Sequence, residues 1–145
     1  SGVIQYITIC DIDTVAGEAL AHSLRAREYQ AAFVETDVTS WTSQVNAFKS
    51  AIEFSALRSV GVVLLFAGIG AGTSDLFYLP STLEKDPFTP STATWDINLT
   101  GVYYSPVLAG YYFRLPPTSS SPAFKKTVIS MSSTAGYWKQ PVSEC

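Results

Sequence analysis

The sequence predicts an α/β protein: a parallel sheet with helices on both faces, three layers deep. Three observations predict it. Strand-like and helix-like segments alternate along the chain, in the order strand, helix, strand, helix, strand, irregular stretch, helix, strand. The most apolar segment, Val60–Ala67, runs on from Gly61 as an unbroken Val-Val-Leu-Leu-Phe stretch, the pattern of a strand covered on both faces. The composition is that of a cored domain: 145 residues, 47% hydrophobic, 13% aromatic and 14% charged, unlike the aromatic-poor, charge-rich disordered class. Parallel strands need crossovers, and these are right-handed.

The elements follow in order. Val3–Cys10 is β-branched, aromatic and mostly apolar, a buried first strand that Asp11-Ile12-Asp13 ends. Asp13 can cap a helix running to about Arg27, with Val15, Ala16, Ala19, Leu20 and Leu24 on one side. Ala31–Glu35 is a second short strand. Thr39 or Ser40 then caps a long helix whose inner face is Trp41, Val45, Phe48 and Ile52. Val60–Ala67 is the third strand. From Gly68 to Pro90 the chain is irregular, because no helical period survives Pro80, Pro87 and Pro90. A third helix covers Ser91 to Phe113, with Leu99, Val102, Pro106, Ala109 and Phe113 inward and a kink expected at Pro106. After a Pro/Ser loop, Thr127–Met131 is the last strand. There is no internal repeat and no sign of a second domain, so residues 1–145 read as one domain.

Several function classes are excluded. With 9 Lys+Arg against 12 Asp+Glu the net charge is −3, so no basic footprint for nucleic acid exists. No Lys/Arg run suits an anionic membrane. The longest near-apolar run, Val60 to Gly72, falls short of the roughly 20 residues a membrane span requires. Ser1-Gly2-Val3 lacks the basic start of a secretory signal. Two cysteines, Cys10 and Cys145, and one histidine, His22, make neither a disulfide framework nor an ordinary metal cluster. A reducing, cytoplasmic setting is expected.

In parallel sheets, ligands bind beyond the carboxyl ends of the strands. Asp11 stands at the first such end. A carboxylate there can accept both ribose hydroxyls of an adenosine and repel a 2′-phosphate, which favours NAD over NADP; it can equally be a helix cap. Asp37, in Thr36-Asp37-Val38-Thr39, could meet an adenine edge while Val38 packs on the ring, or simply form a turn. Gly68-Ile69-Gly70-Ala71-Gly72 has the spacing G-x-G-x-G and opens no helix, so it is not a dinucleotide phosphate loop. It can still let a cofactor pass close to backbone. Ser130-Met131-Ser132-Ser133 ends the last strand, where a serine can hydrogen-bond a substrate oxygen. A Ser-His-Asp hydrolase does not fit, because there is no G-x-S-x-G elbow and His22 lies on an early helix. Asn98 is a polar residue beside the inner seam of the third helix; it holds either a water or backbone groups.

Together these segments resemble, in the same order, the classical short-chain dehydrogenase/reductase family, with a flavour of its fungal, 15-hydroxyprostaglandin-dehydrogenase-like members. Ile9-Cys10-Asp11-Ile12-Asp13 is similar to the end of the family's second strand. Thr36-Asp37-Val38-Thr39 resembles its adenine-contacting D-V. Phe66-Ala67-Gly68-Ile69 resembles its N-N-A-G turn, with Leu65 and Phe66 where the two amides stand. Asn98-Leu99-Thr100-Gly101-Val102-Tyr103 is similar to its N-x-x-G helix, and Ile129 to Gly136 to its serine-bearing strand and loop. The resemblance implies a Rossmann-like, doubly wound parallel sheet. It implies Ser133 and Asn98 as catalytic residues, with Ser132 as neighbour, and Asp11, Ile12, Asp37, Val38, Ala67 and Gly68 as cofactor-binding residues. The implied reaction interconverts a secondary alcohol and a ketone with NAD, NADP being less favoured. The implied partners are a small alcohol or carbonyl substrate and further copies of the chain. The family's first strand with its T-G-x-x-x-G-x-G turn, and its Y-x-x-x-K pair, have no counterpart in the 145 residues; Tyr137-Trp138-Lys139 does not match that pair. The expectation is therefore the central portion of such an enzyme, inactive alone. A short, non-catalytic relative acting as a binding or assembly module is the alternative, and a remnant without function a third.

Overall fold

The computed structural model describes residues 6–70, 89, 91–116 and 125–133. The start of the expected first strand, most of the irregular stretch and Tyr137 to Lys139 lie outside the described residues. The elements are β1 (Tyr6–Asp11), α1 (Thr14–Ala26), β2 (Gln30–Glu35), α2 (Trp41–Phe54), β3 (Val62–Leu65), a short α3 (Ala93–Trp95), a π-helical stretch (Asp96–Gly101), α4 (Val102–Tyr112) and β4 (Thr127–Ser130).

Among the described residues the strands form two parallel pairs. β1 pairs with β2 from Tyr6 opposite Gln30 to Asp11 opposite Glu35. β3 pairs with β4 from Val62 opposite Thr127 to Leu65 opposite Ser130. Among the described residues β1 and β3 are not hydrogen-bonded to each other. Helices join the pairs: α2 packs on β1, β2 and α4, while α4 packs on β3 and β4. The core lies at that α2–α4 contact, where Phe48, Leu108, Ala109 and Tyr112 are buried beside Val45, Ile52, Val63 and Phe113. The Phe48 and Tyr112 rings stack with centroids 5.0 Å apart. Fully burying one such side chain stabilises a fold by about 1.5–3 kcal/mol.

Helix starts fall where the sequence places them. The Asp13 carboxylate accepts the Ala16 N–H at 2.9 Å, and Ser40, rather than Thr39, caps α2 by accepting the Ser43 N–H at 3.3 Å. Helix faces agree less well. On α1 the buried residues are Gly17 and Ala21, whereas Val15 is 80% and Leu20 50% exposed. The reason is close approach to β2: a Cβ on Gly17 would lie within 2.8 Å of three Phe33 ring atoms. Only the small-residue side of α1 can come that near. Trp41 is 44% exposed and meets Tyr104 edge-on at 5.3 Å, and the buried positions of α2 are Gln44, Ala47 and Phe48.

The third helix departs most. Its inward residues are Gly101, Leu108, Ala109 and Tyr112; Leu99 and Pro106 face outward. The π-helical stretch shifts the phase of every residue before Val102, so one α-helical period cannot describe the whole segment. β3 is covered on one side only among the described residues: α4 packs on it, while Val62 and Leu64 are 45% and 53% exposed. The expectation of a strand covered on both faces is corrected accordingly, since α1 lies over β1 and β2 instead. No helix among the described residues is long and apolar enough to cross a membrane, and none of them form a group of three or more metal-ligating side chains.

Candidate active site

Parallel pairing brings strand ends together two by two. The Thr36 N–H donates to the Asp11 carbonyl at 2.8 Å, which sets Asp11 beside the Thr36-Asp37-Val38 turn. The Met131 N–H donates to the Leu65 carbonyl at 3.1 Å, which sets the Ala67-Gly68 turn on the strand next to Ser132-Ser133. The candidate residues thus stand at the carboxyl ends of two strand pairs.

At the first pair, Asp11 is exposed and one oxygen, Oδ1, accepts the Asp13 N–H at 2.9 Å. That bond is the turn-forming role; Oδ2 makes no hydrogen bond among the described residues. Ile12 is exposed as well. Asp37 has its Oδ1 engaged by the Thr39 N–H at 2.9 Å and the Thr39 hydroxyl at 2.7 Å. Its own N–H donates to Ser43 Oγ at 3.0 Å. This carboxylate therefore builds its turn and holds Val38 at a defined place, half-buried. Thr36 is buried, its hydroxyl donating to the Val34 carbonyl at 2.9 Å. Beside it, desolvation pushes the Cys10 thiol above its ordinary pKa; the Thr36 hydrogen bond opposes this and the Asp11 charge adds to it.

At the second pair, Asn98 settles a choice that spacing leaves open. Its Oδ1 accepts the Ile69 N–H at 2.9 Å and its Nδ2 donates to the Ile69 carbonyl at 2.7 Å. The amide holds backbone. It clamps the loop after β3 to the π-helical stretch, and a Cβ on Gly68 would sit 3.4 Å from Asn98 Oδ1. Ser132 and Ser133 are exposed beyond β4.

The third helix also reaches the first strand pair. A Cβ on Gly101 would lie 3.0 Å from both Val38 Cγ2 and the Val38 carbonyl oxygen, so the glycine lets helix and turn touch. Gln44 lies across this contact. Its Nε2 donates to the Val38 and Gly101 carbonyls at 2.6 and 2.9 Å, and its Oε1 accepts the Ser105 hydroxyl at 2.7 Å. Sequence reasoning missed Gln44. The signal was available: it lies three residues after Trp41 and four before Phe48, on the inner row of α2.

For a dinucleotide the fit is partial. Asp11 offers an exposed acceptor and Val38 an apolar contact for the adenosine end. The starts of α1 and α2 are closed by Asp13 and Ser40, so neither presents the open N-terminus that suits a pyrophosphate.

Known proteins resemble this chain in sequence and in fold. The chain is 38% identical over 142 residues to a 5'-hydroxyaverantin dehydrogenase of Dothistroma septosporum, covering 94% of this chain and 46% of that protein. It is 33% identical over 124 residues to the short-chain dehydrogenase/reductase ascJ of Acremonium egyptiacum, covering 84% of this chain and 39% of that one. It is 33% identical over 114 residues to an NADP-dependent dehydrogenase, M3, of a Phoma species, covering 75% and 33%. Among solved structures, a 3-oxoacyl-[acyl-carrier protein] reductase from Brucella melitensis superposes with a TM-score of 0.69 at 18% identity, over 94% of this chain and 50% of that one. A 7α-hydroxysteroid dehydrogenase complexed with NADH gives 0.64 at 17% identity, over 92% and 45%. No protein-family model matches the chain. The fold is the Rossmann-type α/β fold of oxidoreductases, in part. The chain belongs to the short-chain dehydrogenases/reductases and spans about half, 46%, of the length of the 5'-hydroxyaverantin dehydrogenase it matches.

Proposed function

We propose that the protein carrying this chain is an NAD(P)-dependent oxidoreductase that interconverts a secondary alcohol and a ketone, and that residues 1–145 form one incomplete domain of it. The observation that carries this reading is the placement of Asp11, Asp37-Val38, Ala67-Gly68 and Ser132-Ser133 at the carboxyl ends of the two parallel pairs. The nicotinamide ring, when bound, supplies or accepts the hydride. In this reading Asp11 and Ile12 meet the adenosine ribose, Val38 packs on the adenine, and Ala67-Gly68 let the cofactor pass close to backbone. Ser133 donates a hydrogen bond to the substrate oxygen. Asn98 acts by holding the Ile69 loop in place. The proton must come from a group beyond these, since neither Ser133 nor Asn98 is an acid or base suited to the step. The substrate belongs to the class named in its relatives, a hydroxylated compound of the 5'-hydroxyaverantin kind, and the assembly is a homo-oligomer.

The test is cofactor choice. The second oxygen of Asp11 favours ribose hydroxyls and repels a 2′-phosphate, so NAD should bind more tightly than NADP, and Asp11→Ala should erase the difference. Dissociation constants for both nucleotides, wild type against variant, decide it. Equal affinities in the wild type would remove Asp11 from the site, and tighter NADP binding would align this protein with its NADP-dependent relative.

A second reading, a non-catalytic assembly module, is favoured by the exposed apolar residues Ile12, Phe66, Trp95 and Met131. The intact mass of the natural polypeptide separates the two. A value at 15.7 kDa supports the module and a larger one the enzyme.

A further inference from the structure

Gln44 is only 3% exposed, and both polar atoms of its side chain are engaged. Its three bonds join places far apart in the chain. The Val38 carbonyl belongs to the turn after β2. The Gly101 carbonyl closes the π-helical stretch, and the Ser105 hydroxyl sits one turn further along, in α4. That same π-helical stretch carries Asn98, whose amide grips Ile69 after β3. Two groups of hydrogen bonds, at Gln44 and at Asn98, are thus joined by the backbone of the π-helical stretch and connect the turn after β2 to the loop after β3.

We propose that Gln44 is a positioning residue for the adenosine end of the site. By tying the Val38 carbonyl to the Gly101 carbonyl it sets where Val38 stands relative to the loop after β3, and so how tightly an adenine nucleotide is held. The proposal rests on the dinucleotide reading above. The physical case is directional. An apolar side chain of similar volume would fill the same space without desolvating an amide, but it fixes volume and not geometry. Gln44 instead holds two carbonyl groups on one nitrogen, which defines their separation. Gly101 allows the approach, because a Cβ there would press on the Val38 carbonyl oxygen at 3.0 Å. A buried amide bonded at this junction constrains the backbone of the residue that meets the ligand.

The experiment uses the protein expressed from its complete reading frame, with AMP and NADH as probes. Calorimetry or fluorescence gives affinity, thermal melting gives stability, and steady-state kinetics separates KM from kcat. In Gln44→Leu combined with Ser105→Ala, no hydroxyl is left facing an apolar side chain. AMP affinity should fall about fivefold to tenfold, the loss expected from one or two hydrogen bonds. KM for the dinucleotide should rise by the same factor, with kcat nearly unchanged. Ser105→Ala alone keeps both carbonyl ties and should lower the melting temperature while leaving AMP affinity intact. If the double variant does not fold, Gln44→Met, which keeps the unbranched shape, carries the same expectation. A folded Gln44 variant with wild-type AMP affinity would make Gln44 a stability element only and overturn the proposal. So would a fall in kcat at unchanged AMP affinity. A wild-type protein that binds neither AMP nor NADH would overturn the dinucleotide reading and this proposal with it.

Discussion

Asn98 and Gly101 sit in one helix and make opposite demands on their surroundings. Asn98 adds bonds: both ends of its amide engage Ile69. Gly101 adds nothing, and that is its use, since Val38 occupies the space a side chain would need. Gly101→Ala should therefore destabilise by about 1–3 kcal/mol, the usual cost of overpacking against backbone. Gly110, nine positions on in α4, has nothing within 4 Å of a built Cβ. Gly110→Ala should stabilise by about 1 kcal/mol through helix propensity. Paired denaturant melts check both signs, and equal effects would show that the Val38 contact does not exist in solution. Ser133 carries the chemical prediction at this scale. In the active enzyme, Ser133→Ala should lower turnover by about 10²–10³, the effect of removing one donor at a developing oxyanion. Ser132→Ala should do far less; the reverse order would move the assigned position by one residue.

Elements were legible where their signals are local. Asp13 and Ser40 cap the helices that follow them, because a cap acts within a few residues, and the expected strand Ala31–Glu35 lies within Gln30–Glu35, which pairs with β1. Faces were less legible because they depend on what lies opposite. Val15 and Leu20 look like the core side of α1, yet the ring of Phe33 leaves room for no side chain at position 17, and the buried positions are Gly17 and Ala21. In the third helix the π-helical stretch breaks the period, and no run of apolar residues announces such a turn. The site divides in the same way. Strand-end residues could be found by position and resemblance. The Asn98–Ile69 clamp and the Gln44 junction join residues 29 and 57 apart in sequence, and no local pattern predicts partners at such distances.

At the scale of the molecule, two parallel pairs are held side by side by α2 and α4, with one edge of β1 and one of β3 unpaired among the described residues. Unpaired edges recruit other chains. Residues 1–145 expressed alone should therefore elute above monomer mass in size-exclusion chromatography with light scattering, and should not reduce carbonyls with NADH. A monomer of ordinary enzymatic rate would refute both expectations. The edges also leave a signature that isotope labelling can read. The Asp11 carbonyl points toward β2 and the Gly61 and Leu65 carbonyls toward β4. Direction alternates along a strand, so the amides of Thr8 and Cys10, and those of Val62 and Leu64, point to the open side. In deuterated solvent these should exchange quickly while Ile7, Ile9 and Val63 stay protected. A tooth-comb pattern of fast and slow amides would mark the edges as bare. Uniform protection along both strands would mean that each edge has found a partner strand.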